Sequence, residues 1–410
     1  MATFVIVGGG LAGAKAAETL RAEGFDGEVV LFADEAELPY ERPPLSKEIL
    51  LGKAGREKAY VHPLNWYAEH NVDLRTGVQV AMIDPAAHLV TFDGGTITYD
   101  KLLLATGASP RRIDLPGAGL ENVRYLRTLP ESEALRAAFT PESRVVIVGA
   151  GWIGLETAAA ARIAGAKVTV LEPQPGALHF ALGPELGAKF ADLHRAHGVE
   201  FRFGESAAEF RAADPGPEAP TVGSVVTTEG AELPADLVVV GIGATPNDAL
   251  AKSAGLETDD GVVTDAALRT SDPDVFAVGD VANSFLPLLG RHVRVEHWSN
   301  ALNGGKAAAR AMLGQQVEYN HVPYFYSDQY DLGMEAAGLP LPGTYDRVVY
   351  RGDSAGLEFI AFWLDKESRL VAGMNVNIWD VNDDIQSLIR AARPLDPARL
   401  SNPDIPLTEV

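Results

Sequence analysis

Short β-branched apolar runs, each followed by a glycine turn and an alanine-rich stretch, recur along the chain in matched pairs. Residues 4–10, Phe-Val-Ile-Val-Gly-Gly-Gly, match residues 145–151, Val-Val-Ile-Val-Gly-Ala-Gly, and a third glycine follows in each, Gly13 or Gly154. A buried parallel strand entering a crossover helix reads this way. Apolar runs at 29–32 and 168–171 close the units near Asp34 and at Glu172, so two βαβ units are predicted. The pairing continues between residues 102–111, Leu-Leu-Leu-Ala-Thr-Gly-Ala-Ser-Pro-Arg, and the apolar run, glycine turn and proline of 237–247. A repeat of this kind puts two similar nucleotide-binding domains in one α/β chain. The proline- and glycine-rich residues 214–220 predict a loop inside the second unit. Beyond residue 320 the pattern predicts antiparallel strands at 345–350, 357–364 and 370–378, with a turn at 366–369. A helix over 381–392 follows, with Ile385, Leu388 and Ile389 on one face.

Composition narrows the chemistry. The 410 residues allow two or three domains. Lys and Arg number 34 against 56 Asp and Glu, a net charge of −22 that disfavours nucleic acid and anionic membranes. There is no cysteine, which removes disulfides, thiolate nucleophiles and cysteine-held metal clusters, so redox chemistry requires a bound cofactor. The apolar stretch 145–161 is cut by three glycines and carries Glu156, which argues against a membrane span. The first ten residues hold no basic leader pattern, and a cytoplasmic protein is expected.

Each glycine motif follows a strand, opens a helix and precedes an acid by about 20 residues, the full dinucleotide fingerprint. Gly8 and Gly149 permit the tight turn, Gly10 and Gly151 let a pyrophosphate approach the backbone, and Gly13 and Gly154 let helix and strand pack closely. The phosphates then meet the positive helix end, beside Leu11 and Ala12 in one copy and Trp152 and Ile153 in the other. Asp34 or Glu35, and Glu172, are suited to accept from ribose hydroxyls; solvated loop charge is the plainer reading of each. At Glu172 a 2′-phosphate would be repelled, and residues 173–176 offer no Arg to hold one, so NADH is favoured over NADPH.

Two such sites in one chain resemble the FAD-dependent pyridine nucleotide oxidoreductases of glutathione-reductase-like fold. The resemblance implies FAD in the first Rossmann-like domain, NAD in the second, and a C-terminal α+β domain. It predicts an FAD domain at 1–112 and 240–320, an NADH domain at 113–239 and an interface domain at 321–410. Residues 275–282, Val-Phe-Ala-Val-Gly-Asp-Val-Ala, match the family's later flavin motif, with Asp280 and Val281 against the ribityl chain. Residues 39–47, Pro-Tyr-Glu-Arg-Pro-Pro-Leu-Ser-Lys, resemble the oxygenase-coupled NADH–ferredoxin reductases, the putidaredoxin reductase and biphenyl dioxygenase ferredoxin reductase family. Other branches, disulfide reductases and peroxidases, would carry an active-site cysteine. The resemblance implies that Arg42, Ser46 and Lys47 line the FAD site, with Lys47 beside flavin N5 and paired to Glu156 where the nicotinamide docks. A carboxylate early in a helix can also simply complement the dipole. Val80, Ala105, Thr106, Gly107 and Arg111, with Gly241 and Gly243, complete the expected cofactor contacts.

Residues 294–300, Arg-Val-Glu-His-Trp-Ser-Asn, also match the family and bring Glu296, His297 and Trp298 to the flavin, with a helix N-terminus at its pyrimidine edge. A packed histidine and a plain core aromatic are the alternatives at His297 and Trp298. None of the nine histidines has metal-ligand spacing, and residues 304–307 lack the P-loop pattern. Residues 323–330, Pro-Tyr-Phe-Tyr-Ser-Asp-Gln-Tyr, resemble the family's Pro-aromatic-Phe-Trp-Ser-Asp-Gln segment, with Tyr324 and Tyr326 where tryptophan is common. The expected acceptor is a one-electron [2Fe-2S] ferredoxin or a rubredoxin. An NADH oxidase and an apoptosis-inducing-factor-like signalling protein share the architecture. Arg291, Arg294, Lys306 and Arg310 form the candidate docking patch, or are ordinary solvated charges.

Overall fold

The computed structural model describes residues 2–213 and 220–410; of the expected loop at 214–220, all but Pro220 lies outside the described residues. Packing groups the chain into two compact units. One contains the chain up to Glu41, Ala59–Ser109 and Thr245–Phe325; the other contains Arg42–Lys58, Pro110–Ala244 and Tyr326–Val410.

In the first unit the strand Thr3–Val7 lies parallel to Glu28–Ala33 on one side and Lys101–Leu104 on the other. Val72–Thr76 and Val275–Ala277 complete a five-stranded parallel sheet. Its inner positions are β-branched or leucine because both faces are covered. The helix Leu11–Ala22 follows the first strand and packs on Trp298–Met312 through small residues. A Cβ on Gly305 would come within 2.4 Å of the Ala12 carbonyl, and one on Gly304 within 2.6 Å of Val278. The pair of glycines that lacks P-loop spacing is therefore a close-packing seam.

The second unit repeats the plan. Arg144–Val148 lies parallel between Lys167–Glu172 and Leu237–Val240, with Val199–Phe203 and Val123–Arg124 at the edges. Residues 145–161 divide into this strand and the helix Trp152–Ile163, and among the described residues no helix is long and apolar enough to cross a membrane.

The C-terminal region forms a five-stranded sheet in the order Tyr324–Gln329, Leu332–Gly338, Leu370–Val376, Glu358–Leu364 and Arg347–Asp353. The strand expected at 345–350 starts two residues later, because a turn closed by Thr344 N–H on the Leu341 carbonyl precedes it. The strand expected to reach 378 stops at Val376, since Asn377 turns into the left-handed region. The helix expected over 381–392 runs Asn382–Ala391 with Ile385, Leu388 and Ile389 buried, as the spacing predicts.

The division by packing differs from the order expected along the chain at one point that matters for the chemistry. Residues 42–58 group with the second unit: Ser132 donates to the Leu45 carbonyl at 2.6 Å, and the Arg42 guanidinium donates to the Arg127 carbonyl. That arrangement puts Ser46, Lys47 and Glu156 in one unit.

Candidate functional site

The two glycine loops have the same geometry. Gly8 has φ +127° and Gly149 φ +106°, and a Cβ there would lie 2.0 Å from the Ala105 carbonyl oxygen or 2.3 Å from that of Gly241. The turns Ala105-Thr106-Gly107 and Gly241-Ile242-Gly243 thus abut their glycine loops in the same way. Cβ atoms on Gly13 and Gly154 would strike the carbonyls of Gly8 and Gly149 at 2.2 and 2.1 Å. At Gly10 and Gly151, by contrast, a Cβ would meet no heavy atom within 4 Å. These two glycines cap the helices Leu11–Ala22 and Trp152–Ile163, and no side chain bonds to the first-turn N–H groups from either cap. A bare positive helix end behind an open backbone fits a pyrophosphate.

The acids differ. Glu172 accepts from the Ala150 N–H at 2.7 Å and from the Gln174 N–H at 2.9 Å, so it holds the glycine loop, and its remaining lone pairs can take ribose hydroxyls. In the first unit Asp34 accepts from the Glu35 N–H, and Glu35 accepts from the Tyr40 hydroxyl. Ile153, an exposed apolar residue, and Trp152, edge-on to Phe190, flank the second loop.

Around the first loop, Thr106 donates to the Asn247 carbonyl at 2.8 Å and accepts from the Asn247 amide at its own carbonyl. Leu11 and Ala12 are buried, and Val80 and Val281 belong to the apolar core beneath. Asp280 lies in a short helical turn opened by Gly279, whose φ is +76°. His297 caps the helix Trp298–Met312. Burial pushes its imidazole down to about 4, Asp280 opposing the shift, so it stands as a neutral ring tilted against Phe325. Its Nδ1 is buried without a hydrogen-bond partner, an orphaned polar atom of the kind a bound group can satisfy. The Trp298 indole donates to Glu41 at 2.8 Å. In the second unit the Arg111 N–H is taken by the Gly243 carbonyl.

The second unit also contains a sealed charge cluster. Lys47 is 6% exposed and Glu156 4%. Lys47 Nζ donates to Glu156 Oε1 at 2.9 Å, Ser327 Oγ donates to the same oxygen at 2.7 Å, and Ser46 donates to Oε2. Glu156 is the fifth residue of its helix, outside the first turn, and its partners are side chains. Its role is therefore this cluster rather than a dipole complement. Tyr326, one of the two tyrosines standing where tryptophan is common, has its ring 5.2 Å from Lys47 Nζ. Burial raises the Asp328 carboxyl, opposed by Lys47 and reinforced by Glu156, Glu48 and Glu335.

Two members of the basic patch are already neutralised. Arg294 pairs with Glu296 and, at 3.2 Å, with Asp260; Arg310 pairs with Glu23 at 2.8 Å. Arg291 is exposed and Lys306 half-buried. Among the described residues no group of acids and histidines could hold a metal ion. Sequence reasoning gave no role to Ser327, Gln329 or His194. The signal for His194 was its place on the face that Leu186, Phe190 and Leu193 bury in the helix Pro184–Ala196.

A family model described as pyridine nucleotide-disulphide oxidoreductase matches residues 2–305, and one described as reductase C-terminal matches residues 324–410. The chain is 41% identical over 405 residues to the ferredoxin–NAD(+) reductase component of an anthranilate 1,2-dioxygenase system from Burkholderia cepacia, covering 98% of each. It is 37% identical to putidaredoxin reductase from Pseudomonas putida, over 99% of this chain and 96% of that protein. A solved covalent complex of putidaredoxin reductase with putidaredoxin superposes with a TM-score of 0.95 at 37% identity, covering 100% of this chain and 97% of that one.

Proposed function

Because the chain belongs to the pyridine nucleotide-disulphide oxidoreductase family, we infer that its two glycine cradles serve one electron path from NADH to a protein acceptor. The protein is an FAD-dependent NADH:ferredoxin oxidoreductase of the kind that feeds an oxygenase, a P450 or a Rieske dioxygenase. The observation that carries the reading is the pairing, in one cysteine-free chain, of two bare helix ends with open glycines at Gly10 and Gly151.

The N-terminus of Leu11–Ala22 would hold the FAD pyrophosphate, with Glu35 or Asp34 toward the ribose and Asp280 toward the ribityl chain. That of Trp152–Ile163 would hold NADH, with Glu172 toward the adenosine ribose. FAD held at the first helix end would supply hydride acceptance and one-electron release, the combination that a one-electron protein acceptor requires. Lys47 and Glu156 are proposed to serve the hydride step. A buried ammonium fixed by a carboxylate is a preorganised donor in dry surroundings, where such a dipole acts more strongly than in water. The [2Fe-2S] ferredoxin is proposed to dock near Arg291 and Lys306, with Arg294 and Arg310 contributing less because neighbouring acids neutralise them. A cytoplasmic setting, where NADH is available, suits this activity.

Steady-state turnover with NADH or NADPH as donor, and purified [2Fe-2S] ferredoxin, rubredoxin or oxygen as acceptor, tests the assignment. The expected order is ferredoxin first with NADH strongly preferred; oxygen turnover matching that of ferredoxin would make the protein an oxidase instead.

A further inference from the structure

The hydrogen bonds at Glu156 continue beyond Ser327. Gln329 Nε2 donates to Ser327 Oγ at 3.0 Å, Gln329 Oε1 lies 2.8 Å from His194 Nε2, and His194 Nδ1 lies 3.3 Å from the Tyr330 hydroxyl. Ser327, Gln329 and His194 are at most 1% exposed, and nothing in the hydride step as described uses the histidine.

The direction of the chain follows from its charged end. A carboxylate paired with Lys47 accepts only, so the Ser327 hydroxyl hydrogen must point at Glu156. Ser327 Oγ can then only accept from Gln329, which turns the Gln329 amide nitrogen toward Ser327 and its oxygen toward His194. That oxygen needs a donor, so His194 carries its proton on Nε2 and offers Nδ1 to the Tyr330 hydroxyl. Every donor points toward Glu156. A lone serine could rotate its hydroxyl away; with Gln329 donating to its oxygen and His194 holding Gln329, it cannot do so without breaking a buried bond.

We propose that His194 is a positioning residue for the NADH half-reaction: through Gln329 and Ser327 it locks the Glu156 carboxylate in the orientation that holds Lys47. The surroundings of the ring agree with a neutral imidazole. Phe201 meets it edge-on, Tyr330 covers another side, and His197 stacks on Tyr330 at 3.7 Å. Burial, reinforced by His197 and opposed by the Gln329 bond, pushes His194 down to about 4. The proposal rests on the role given above to Lys47 and Glu156.

The test combines anaerobic single-turnover reduction of the bound flavin by NADH with 15N NMR of histidine-labelled protein, His194 being assigned from the spectrum of His194→Gln. His194→Phe keeps a flat ring but loses the donor. It should slow the limiting rate roughly tenfold, about 1.4 kcal/mol at the barrier, with half-saturation by NADH unchanged. His194→Gln, whose amide can donate to Gln329, should recover most of that loss. Ser327→Ala should slow reduction like His194→Phe, and it carries the test if the phenylalanine variant fails to fold. The spectrum should show His194 as the neutral Nε2–H tautomer at pH 7. An Nδ1–H tautomer or an imidazolium would overturn the chain as drawn. If Lys47→Ala and Glu156→Ala reduce at wild-type speed, the underlying reading falls and this proposal with it. If those two are slow while His194→Phe and Ser327→Ala run at wild-type speed, only the proposal falls.

Discussion

Lys15 and Glu156 occupy the same register, the fifth residue after Gly10 and Gly151, on helices with the same cap and the same neighbouring strands. Lys15 pairs with Glu18 on its own helix at 2.7 Å, partly in solvent. Glu156 is sealed and takes its partners from segments 109, 110 and 171 residues away. The difference separates two tasks. Holding a dinucleotide needs only glycine geometry and a bare helix end, which both copies supply. The buried charge cluster proposed to serve the hydride step is built on one copy alone, by distant residues that converge on a position the other copy leaves as a surface ion pair.

Truncating each position should separate the two. Glu156→Ala strands a buried ammonium and should cost about 3–5 kcal/mol of stability in denaturant titrations. Lys15→Ala removes a partly solvated pair and should cost less than about 1 kcal/mol. Equal losses would mean that the two positions are equivalent.

Gly8→Ala and Gly149→Ala force a side chain into positive φ and against a carbonyl, so each should lose about 2–3 kcal/mol. Gly10→Ala and Gly151→Ala, with open space around them, should fold with nearly wild-type melting temperatures. Calorimetric titration should then show weakened FAD in the first and weakened NADH in the second.

Acid should affect both units, through buried His194 in one and His297, whose Nδ1 is sealed, in the other. His194 and His297 are pushed down to about 4, so between that value and the ordinary 6.5 the unfolded chain binds more protons than the folded one. The stability they contribute is present above pH 6.5 and lost as pH falls toward 4. Melting temperature should therefore drop from pH 7 to pH 5, and less so in His194→Gln. The smallest effect belongs to the basic patch. Arg291→Glu should lower kcat/KM for ferredoxin severalfold at low salt, whereas Arg310→Glu, already facing Glu23, should change it less.

Both glycine loops were legible because their constraints are local: a turn with positive φ, a close strand and a bare cap are written within ten residues. The place of Glu172 at the end of its strand was legible for the same reason, although its hold on the Ala150 and Gln174 N–H groups was not. The Lys47–Glu156 pair came only through resemblance, since no local pattern joins residues so far apart. The route from Ser327 to His194 was invisible because a buried histidine on an apolar helix face looks like packing until Gln329 is seen beside it. Of the acids that pair with two members of the basic patch, Glu296 lies two residues from Arg294, whereas Asp260 and Glu23 are distant in the chain and could not be read from local pattern.

The most direct measurement is anaerobic stopped-flow bleaching of the bound flavin by NADH in the wild type, Lys15→Ala and Glu156→Ala, with FAD content checked in each. If the buried pair serves the hydride step, the wild type and Lys15→Ala should bleach at equal rates, and Glu156→Ala on the order of a hundredfold more slowly with FAD still bound. Wild-type bleaching in Glu156→Ala, or an equal slowing in Lys15→Ala, would contradict that role.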